Sequence, residues 1–159
     1  MLQPCWSISA NGDTLALTSS RYRIDLVNWQ DASEELSAIR RQVFMDEQGV
    51  PAELEWDGLD ATATHARATS LADETIGTAR LLPNGQVGRM AVARQWRGIG
   101  IGTAMLQRLI AHAPVKERLF LNAQTSAESF YRRQGFESEG EVFMEAGIPH
   151  IRMHYRPSR

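Results

Sequence analysis

The chain has 159 residues, of which 43% are apolar and 23% are charged, and its formal net charge is -2 at neutral pH. This length suits one domain with its own hydrophobic core, so residues 1–159 are treated as a single domain. The charge balance gives no general attraction to nucleic acid or to an anionic membrane, and no apolar stretch reaches the roughly 20 residues of a membrane span. With a single Cys5 and no N-terminal basic region followed by an apolar stretch, the sequence predicts a cytoplasmic protein.

The first third of the chain predicts a strand followed by a helix. Residues 1–20 are only loosely assigned, with an Asn11-Gly12-Asp13 turn signal. Alternating apolar residues predict a strand over 22–27. Apolar residues at spacings of three and four then predict a helix over 32–45, with Asp31–Glu34 as its capping box.

The middle of the chain predicts three consecutive strands. They cover 65–71, 75–82 and, after the turn signal 83–85, a segment that ends at Val92. Short connections between them favour an antiparallel meander. The acidic stretch 53–60, which precedes these strands, is expected to be a loop or short helix facing the substrate, with a solvated surface anchored by Trp56 as the alternative.

The last part of the chain predicts a crossover, a second helix and a hairpin. Pro114 ends a helix whose apolar face lies along the sheet, and a strand over 119–123 should run parallel to the strand that ends at Val92. Another helix is expected to begin at a Thr125–Glu128 capping box and to end at Gly135, before a hairpin that turns at 147–150. The expected fold is therefore mixed α/β, with a largely antiparallel twisted sheet between helices on both faces.

The most informative stretch is 95–102, Gln95-Trp96-Arg97-Gly98-Ile99-Gly100-Ile101-Gly102. Three alternating glycines remove side chains where a helix begins, so the unpaired N–H groups of its first turn can approach a phosphate. The glycine spacing differs from that of a dinucleotide-binding turn, and Thr103 lacks the lysine of a nucleoside-triphosphate loop. A tight turn that only needs small residues is the alternative.

No metal site is expected. His150 and His154 are four residues apart, but Pro149 and the strand-like sequence place them off a helix, which disfavours a paired zinc site. No cysteine cluster adds ligands.

Two motifs follow each other along the chain: Gln95-x-x-Gly98-x-Gly100, after a Met90-Ala91-Val92 strand, and Ala127-x-x-Phe130-Tyr131-x-x-x-Gly135-Phe136. The first resembles the acetyl-coenzyme A motif of the GNAT N-acetyltransferases, and the second resembles that family's motif on the next helix. The resemblance covers residues 22–155. Residues 43–48, 79–81 and 143–150 further resemble the ElaA-like branch, which carries over no acceptor.

The resemblance implies a GNAT fold and direct transfer of an acetyl group from acetyl-coenzyme A to a primary amine. In the family's arrangement the pyrophosphate lies on the N–H groups of 97–102, with charge added by Arg94 and Arg97. The pantetheine arm lies beside 90–92, where a backbone N–H polarises the acetyl carbonyl. Gln124 is expected to hydrogen-bond the cofactor, at a position where many members have Asn. The implied cofactor-binding residues are Met90, Ala91, Val92, Gln95, Arg97, Gly98, Ile99, Gly100, Ile101, Gly102 and Gln124.

For catalysis, the resemblance implies that Tyr131 is the general acid that protonates the departing thiolate, with a core aromatic residue as the alternative. The acceptor amine must lose a proton, so a base or a water relay to one is needed. His150 and Glu55 are the leading candidates for this base. Asp57, His65 and Glu145 stay open as further candidates.

The acceptor is expected to be a small-molecule amine or a peptide, and the acidic stretch 53–60 favours a cationic one. Two alternative functions remain. One is a coenzyme A-binding regulatory module without transfer, and the other is an acyl-homoserine-lactone synthase, whose early Arg-x-x-Val-Phe sequence is matched by Arg40 or Arg41 before Val43-Phe44. Those synthases lack so complete a pyrophosphate loop. A homodimer is left open, and no nucleic-acid or membrane partner is expected.

Overall fold

A seven-stranded sheet organises residues 21–157, which are the part of the chain that the computed structural model describes. The strands are β1 (Tyr22–Val27), β2 (Thr64–Ser70), β3 (Thr75–Leu81), β4 (Gln86–Val92), β5 (Phe120–Gln124), β6 (Phe136–Glu145) and β7 (Ile148–Tyr155). Their spatial order is β1-β2-β3-β4-β5-β7-β6, with β4 and β5 parallel and all other neighbours antiparallel. The predicted mixed sheet and its three-stranded meander are confirmed. The turn signal at Asn11-Gly12-Asp13 and Cys5 lie outside the described residues.

Helices cover both faces of this sheet. They are α1 (Trp29–Arg40), α2 (Ala52–Glu55), α3 (Ile101–His112) and α4 (Glu128–Arg133). Met90 and Val92 of β4 pack with the core beneath α3, whereas Ala91 packs with Ile39 of α1. This alternation follows because successive side chains of a strand point to opposite faces. None of these helices combines the length and hydrophobicity needed to cross a bilayer.

The predicted helix over 32–45 is two elements. α1 begins at Trp29, and the side chain of Asn28 caps it by accepting a hydrogen bond from the Asp31 N–H at 3.0 Å. The predicted capping box at Asp31–Glu34 is therefore wrong, since Asp31 already lies in the first turn. After Arg40 the chain continues as a π-helical segment, Arg41–Glu47, a widened turn that is frequent at functional sites.

α3 and β5 form the predicted crossover, but β5 pairs with β4 only at its beginning. The apolar face of α3 is fully buried against the sheet, and the helix ends at His112 before Pro114. The parallel register holds for Gln86 with Phe120 and for Val87 with Leu121. Beyond these two pairs the strands are not hydrogen-bonded to each other, and a cleft opens between them.

Two local predictions in the last part of the chain are corrected. The Thr125–Glu128 capping box is wrong, because α4 has no side-chain cap and Glu128 instead accepts hydrogen bonds from Arg132 and Ser138. The hairpin turns at Ala146-Gly147, with φ of 53° and 75°, rather than at 147–150. Two positive φ angles are those of a type I′ turn, whose twist matches the strands that it joins. Gly135 follows α4 with a φ of 96°, as predicted.

Candidate active site

The cleft between the diverging β4 and β5 has a volume of about 590 Å³ and collects most of the predicted site residues. They come from β4, the turn before α3, the start of α3, β5, α4, β7 and α2. The predicted residues that line the cleft are Met90, Ala91, Val92, Arg97, Gly102, Gln124, Tyr131, His150 and Glu55. Gln95, Gly98, Ile99, Gly100 and Ile101 do not line it, and the side chain of Ile101 is buried in the core. Any contact of Ile101 with a cofactor must therefore use its backbone.

The glycine-rich stretch forms a turn that leads into α3. Gly98 and Gly100 have φ angles of 83° and 93°, which L side chains rarely adopt, and Gly100 is the N-cap of the helix. No side chain caps this helix end. A Cβ at Gly102 would lie 3.6 Å from Phe130 and 3.9 Å from the sulfur of Met90, so a side chain there would narrow the cleft. The turn thus presents backbone N–H groups and the positive end of a twelve-residue helix.

β4 carries a bulge beside the cleft that the sequence did not predict. Thr78 pairs with Ala91 and Arg80 with Gly88, so Arg89 and Met90 together stand opposite one residue of β3. Arg89 has a φ of 49°, a left-handed conformation inside a strand. A bulge turns backbone groups out of the ladder, so the stretch that follows can direct an N–H towards the cleft. No residue type at these positions signals it, since a positive φ is not typical of arginine.

The guanidinium of Arg97 is engaged within the protein. Its Nε donates to the Val92 carbonyl at 2.9 Å, and its Nη2 lies 2.9 Å from the Glu47 carboxylate. The guanidinium of Arg94 lies 3.7 Å from the same carboxylate. The charge that Arg94 and Arg97 were expected to offer a phosphate is therefore shared with Glu47. The side chain of Gln124 donates to Gln48 at 3.0 Å, and both glutamines line the cleft.

Tyr131 lies on α4 between two phenylalanine rings and points its hydroxyl at β4. Its ring meets Phe130 edge to face at 5.0 Å and Phe136 at 6.1 Å, and its hydroxyl lies 3.7 Å from the Met90 sulfur. Burial raises the pKa of Tyr131 to about 12, because an apolar environment disfavours the phenolate. The hydroxyl therefore stays protonated at neutral pH and can act as a hydrogen-bond donor.

His150 enters the cleft from β7, opposite Gln124 of β5. Its Nδ1 lies 2.7 Å from the carbonyl oxygen of Ile148, which fixes Nδ1 as the donor because a carbonyl only accepts. Nε2 lies 3.5 Å from a carboxylate oxygen of Glu145, near the hairpin turn. The neutral imidazole thus keeps a lone pair on Nε2, which is the requirement for a base.

Three of the four carboxylates in the acidic stretch 53–60 pair with arginines, while Glu53 is exposed. The ion-pair cluster that they form has four buried members, Arg40, Glu55, Asp60 and Arg80, and two partly exposed members, Asp57 and Arg89. Nε of Arg40 donates to Glu55 at 2.6 Å and its Nη1 donates to Asp60 at 2.6 Å. This neutralisation removes the observation that favoured a cationic acceptor.

Two candidate bases, Asp57 and Glu55, are disfavoured by their arginine partners in this cluster. Burial works against ionisation of Asp57, but hydrogen bonds from Arg80 and the Leu59 N–H and the charges of Arg80 and Arg89 outweigh it and lower the pKa of Asp57 to about 2. Glu55 is 3% exposed and lies within 3.2 Å of both Arg40 and Arg89. Because two guanidiniums already occupy its carboxylate oxygens, the prediction of Glu55 as base is disfavoured even though Glu55 lines the cleft.

His65 is also removed from the candidates for the base. It is fully buried, does not line the cleft, and its Nε2 bonds the Asp60 carbonyl at 3.0 Å. Burial lowers the pKa of His65. Of the five candidates, His150 and Glu145 are the two that line the cleft without an arginine partner among residues 21–157. That part of the chain also contains no group of three His, Cys, Asp or Glu residues that could hold a metal.

This fold and cleft are those of N-acyltransferases that take their acyl group from an acyl-coenzyme A. Residues 30–157 match the model described as the acetyltransferase (GNAT) domain, and the chain belongs to that family.

Its relatives include the uncharacterized N-acetyltransferase YjcF of Bacillus subtilis, 34% identical over 72% of this chain and 86% of that protein. Protein ElaA of Escherichia coli is 31% identical over 80% of this chain and 95% of its own. The crystal structure of ElaA superposes with a TM-score of 0.74 at 26% identity, covering 85% of this chain and 99% of ElaA. The crystal structure of an acyl-CoA N-acyltransferase from Pseudomonas aeruginosa superposes with a TM-score of 0.72 at 29% identity, covering 84% of this chain and 99% of that protein. The predicted resemblance to the ElaA-like branch is confirmed.

Proposed function

We propose that the protein transfers an acetyl group from acetyl-coenzyme A directly to the primary amine of a small molecule or peptide. The observation that carries this proposal is the cleft itself, which joins the start of α3, the bulged part of β4, Tyr131 and His150 in one cavity. An anion site, a carbonyl-polarising backbone, a proton donor and a proton acceptor are the four parts that direct acyl transfer needs.

The cofactor would be held mainly by backbone. N–H groups of the turn and first residues of α3 would bind the pyrophosphate, as helix N-termini bind anions. Residues 90–92 would bind the pantetheine arm as an added strand, because β5 leaves this edge of β4 unpaired after Val87. The arm would compete with Arg97 for the Val92 carbonyl.

In the proposed reaction the amine nitrogen attacks the thioester carbonyl, so a C–N bond forms and the C–S bond breaks with its electron pair leaving on sulfur. A backbone N–H of 90–92 would stabilise the negative charge on the carbonyl oxygen. Nε2 of His150 would accept the proton that the amine loses, and the hydroxyl of Tyr131 would donate a hydrogen bond or its proton to the departing sulfur.

A glutamate in the glycine turn is expected to abolish cofactor binding. A Cβ at Gly98 meets nothing within 4 Å, so Gly98→Glu causes no clash; its φ of 83° is strained for an L residue, and it brings a carboxylate to the proposed phosphate site. We expect the dissociation constant for acetyl-coenzyme A to rise by at least about 100-fold, as measured by calorimetry. Gly140→Glu is the matched control. Gly140 has nearly the same φ as Gly98, a Cβ there also meets nothing within 4 Å, and it lies on β6 outside the cleft. Equal affinities of the two variants would contradict the proposed pyrophosphate site.

Replacement of the proposed base is expected to slow transfer without loss of the cofactor site. For His150→Gln we expect kcat/KM for the amine to fall by about 10²-fold to 10⁴-fold at neutral pH and to recover in part at alkaline pH, where the free amine needs no base. His154→Gln is the control, since Nε2 of His154 also faces a glutamate, Glu139 at 2.8 Å, but outside the cleft. An unchanged pH–rate profile in His150→Gln would remove His150 from the mechanism.

The function as a whole is tested by thiol release from acetyl-coenzyme A with a panel of primary amines. Turnover with at least one amine supports the proposal. Tight binding of acetyl-coenzyme A without turnover on any amine would favour the regulatory module. Transfer that requires an acyl-carrier protein and S-adenosylmethionine would favour the lactone synthase.

A further inference from the structure

The ion-pair cluster reaches the cleft at Glu55 and at Arg89, and Arg89 lies in the bulge of β4. Among residues 21–157, Arg89 is one of three non-glycine residues with positive φ, and the other two, Asp73 and Ala146, lie in the turns between strands. Of these three residues, Arg89 is the one whose positive φ occurs inside a strand. Such a conformation persists only where surrounding contacts determine it.

Those contacts are made by the guanidinium of Arg89, which bridges β4 to the end of α2. Its Nη2 donates to the carbonyl oxygens of Glu55 at 3.0 Å and Leu54 at 3.2 Å. A helix leaves its last carbonyls without intrahelical partners, so this arginine caps α2. Nε lies 3.2 Å from the Glu55 carboxylate and Nη2 lies 3.2 Å from that of Asp57.

The partners of Arg89 are themselves held by the other two arginines of the cluster. Arg40 of α1 is fully buried and holds Glu55, while Arg80 of β3 binds Asp57 through two parallel hydrogen bonds of 2.9 and 2.8 Å. The bulge is therefore tied through α2 and the loop behind it to α1 and β3. Three arginines against three carboxylates leave the cluster balanced in charge.

We propose that Arg89 is a positioning residue for acyl transfer, because it fixes the bulge of β4 and thereby aims the backbone N–H groups of 90–92 at the acyl carbonyl. This role rests on the proposed function. Arg89 needs no contact with the reacting atoms, since a misplacement of about 1 Å in a catalytic group lowers the rate by about 100-fold.

Two variants separate the side chain from the backbone. Arg89→Lys keeps the charge but cannot make the forked contacts to two carbonyls and two carboxylates. Arg89→Gly adopts the positive φ without strain and removes only the tether. Both variants are expected to fold, because Glu55 and Asp57 each keep another arginine partner. The matched control is Arg67→Lys. Arg67 lies on β2 away from the cleft, its side chain has the same 24% exposure, and it pairs with Glu35 of α1 and Asp25 of β1.

Acetyl-coenzyme A labelled with ¹³C at the thioester carbonyl is the probe. In wild type we expect its carbonyl resonance to move downfield on binding, since a hydrogen bond to the oxygen polarises the carbonyl. In Arg89→Lys and Arg89→Gly we expect less than half of this movement and a kcat per folded enzyme that is lower by about 100-fold, with KM for acetyl-coenzyme A within about threefold. Arg67→Lys should match wild type in all three.

The outcomes distinguish this inference from the function on which it rests. Failure of wild type to bind acetyl-coenzyme A would contradict the proposed function itself. Binding by wild type with the same carbonyl resonance and kcat in the Arg89 variants would contradict the positioning role alone. Equal losses in Arg67→Lys would show a general effect of arginine removal and would also overturn it.

Discussion

Tyr131→Phe is expected to lower kcat by about 10²-fold to 10⁴-fold, the range of a lost proton donor, with KM for acetyl-coenzyme A changed by less than about threefold. The substitution removes one oxygen atom. The ring keeps its edge-to-face contacts with Phe130 and Phe136, so the hydrophobic packing of α4 is retained. The hydroxyl loses only a weak partner in the ground state, the Met90 sulfur at 3.7 Å. Its contribution is therefore expected in the transition state.

The raised pKa of Tyr131 defines how this donor acts. A phenol with a pKa of about 12 holds its proton more tightly than a free thiol with a pKa of roughly 8.5, so complete transfer to a thiolate is uphill. A hydrogen bond that strengthens as charge develops on sulfur avoids this cost. Because the phenol loses its proton only near pH 12, Tyr131 should cause no alkaline fall in kcat below about pH 11.

Steady-state kinetics over pH 6 to 10 test both statements, with Tyr155→Phe as the control. Tyr155 also packs against Phe136, at 5.2 Å, but it does not line the cleft. We expect wild-type kcat in this control. A Tyr131→Phe enzyme with wild-type kcat would assign Tyr131 to the core instead, and an alkaline limb that disappears in the variant would contradict the raised pKa.

Arg40→Met is expected to destabilise the protein by about 3 to 5 kcal/mol, the cost of breaking a buried ion pair on one side. Arg40 is fully buried between the rings of Trp29 and Trp56 and donates to Glu55 and Asp60. Methionine fills a similar volume, so the loss comes from the two carboxylates that are left with fewer partners. At roughly 2 to 4 °C per kcal/mol for a domain of this size, the melting temperature should fall by about 10 °C.

Two further variants identify the cause of this loss. Arg23→Met removes an exposed pair with Asp73 and should change stability by less than about 1 kcal/mol. The triple variant of Arg40→Met with Glu55→Gln and Asp60→Asn removes the uncompensated charges and should recover part of the stability. A triple variant no more stable than Arg40→Met would show that packing of the guanidinium, rather than charge, is what matters.

The stability of wild type should also fall in a defined acid range. The pKa of Asp60 is lowered: burial works against this, but the hydrogen bonds and charges of Arg40 and Arg80 prevail, and the pKa of Asp57 is lowered to about 2. A carboxylate with a depressed folded pKa stabilises the protein above its unfolded pKa of about 4 and loses this contribution as pH falls towards 2. Chemical unfolding from pH 7 to 2 should show this loss. The difference between Arg40→Met and wild type should shrink over the same range, since protonation removes the negative charge of the carboxylates that the variant leaves with fewer arginine partners.

The sequence by itself determined the elements whose signals are local. Alternation predicted β1, turn signals with short connections predicted the meander, and helical spacing with Pro114 predicted α3. The glycines predicted the turn at its start. These signals work because the period of a strand or helix and the freedom of glycine depend on neighbouring residues alone. The two GNAT-like motifs are equally local, and they indicated the family that the comparisons show.

Only the tertiary structure decided what the acidic stretch and the edge of β4 do. Glu55 lies 15 residues from Arg40 and Asp57 lies 23 residues from Arg80, and no pattern along the chain shows that these side chains pair. The bulge at Arg89 arises from a register shift against β3, which is a property of two strands together. Carboxylates that resemble a binding surface in the sequence therefore form ion pairs within the protein. A buried carboxylate is stable only where the fold brings a cation to it.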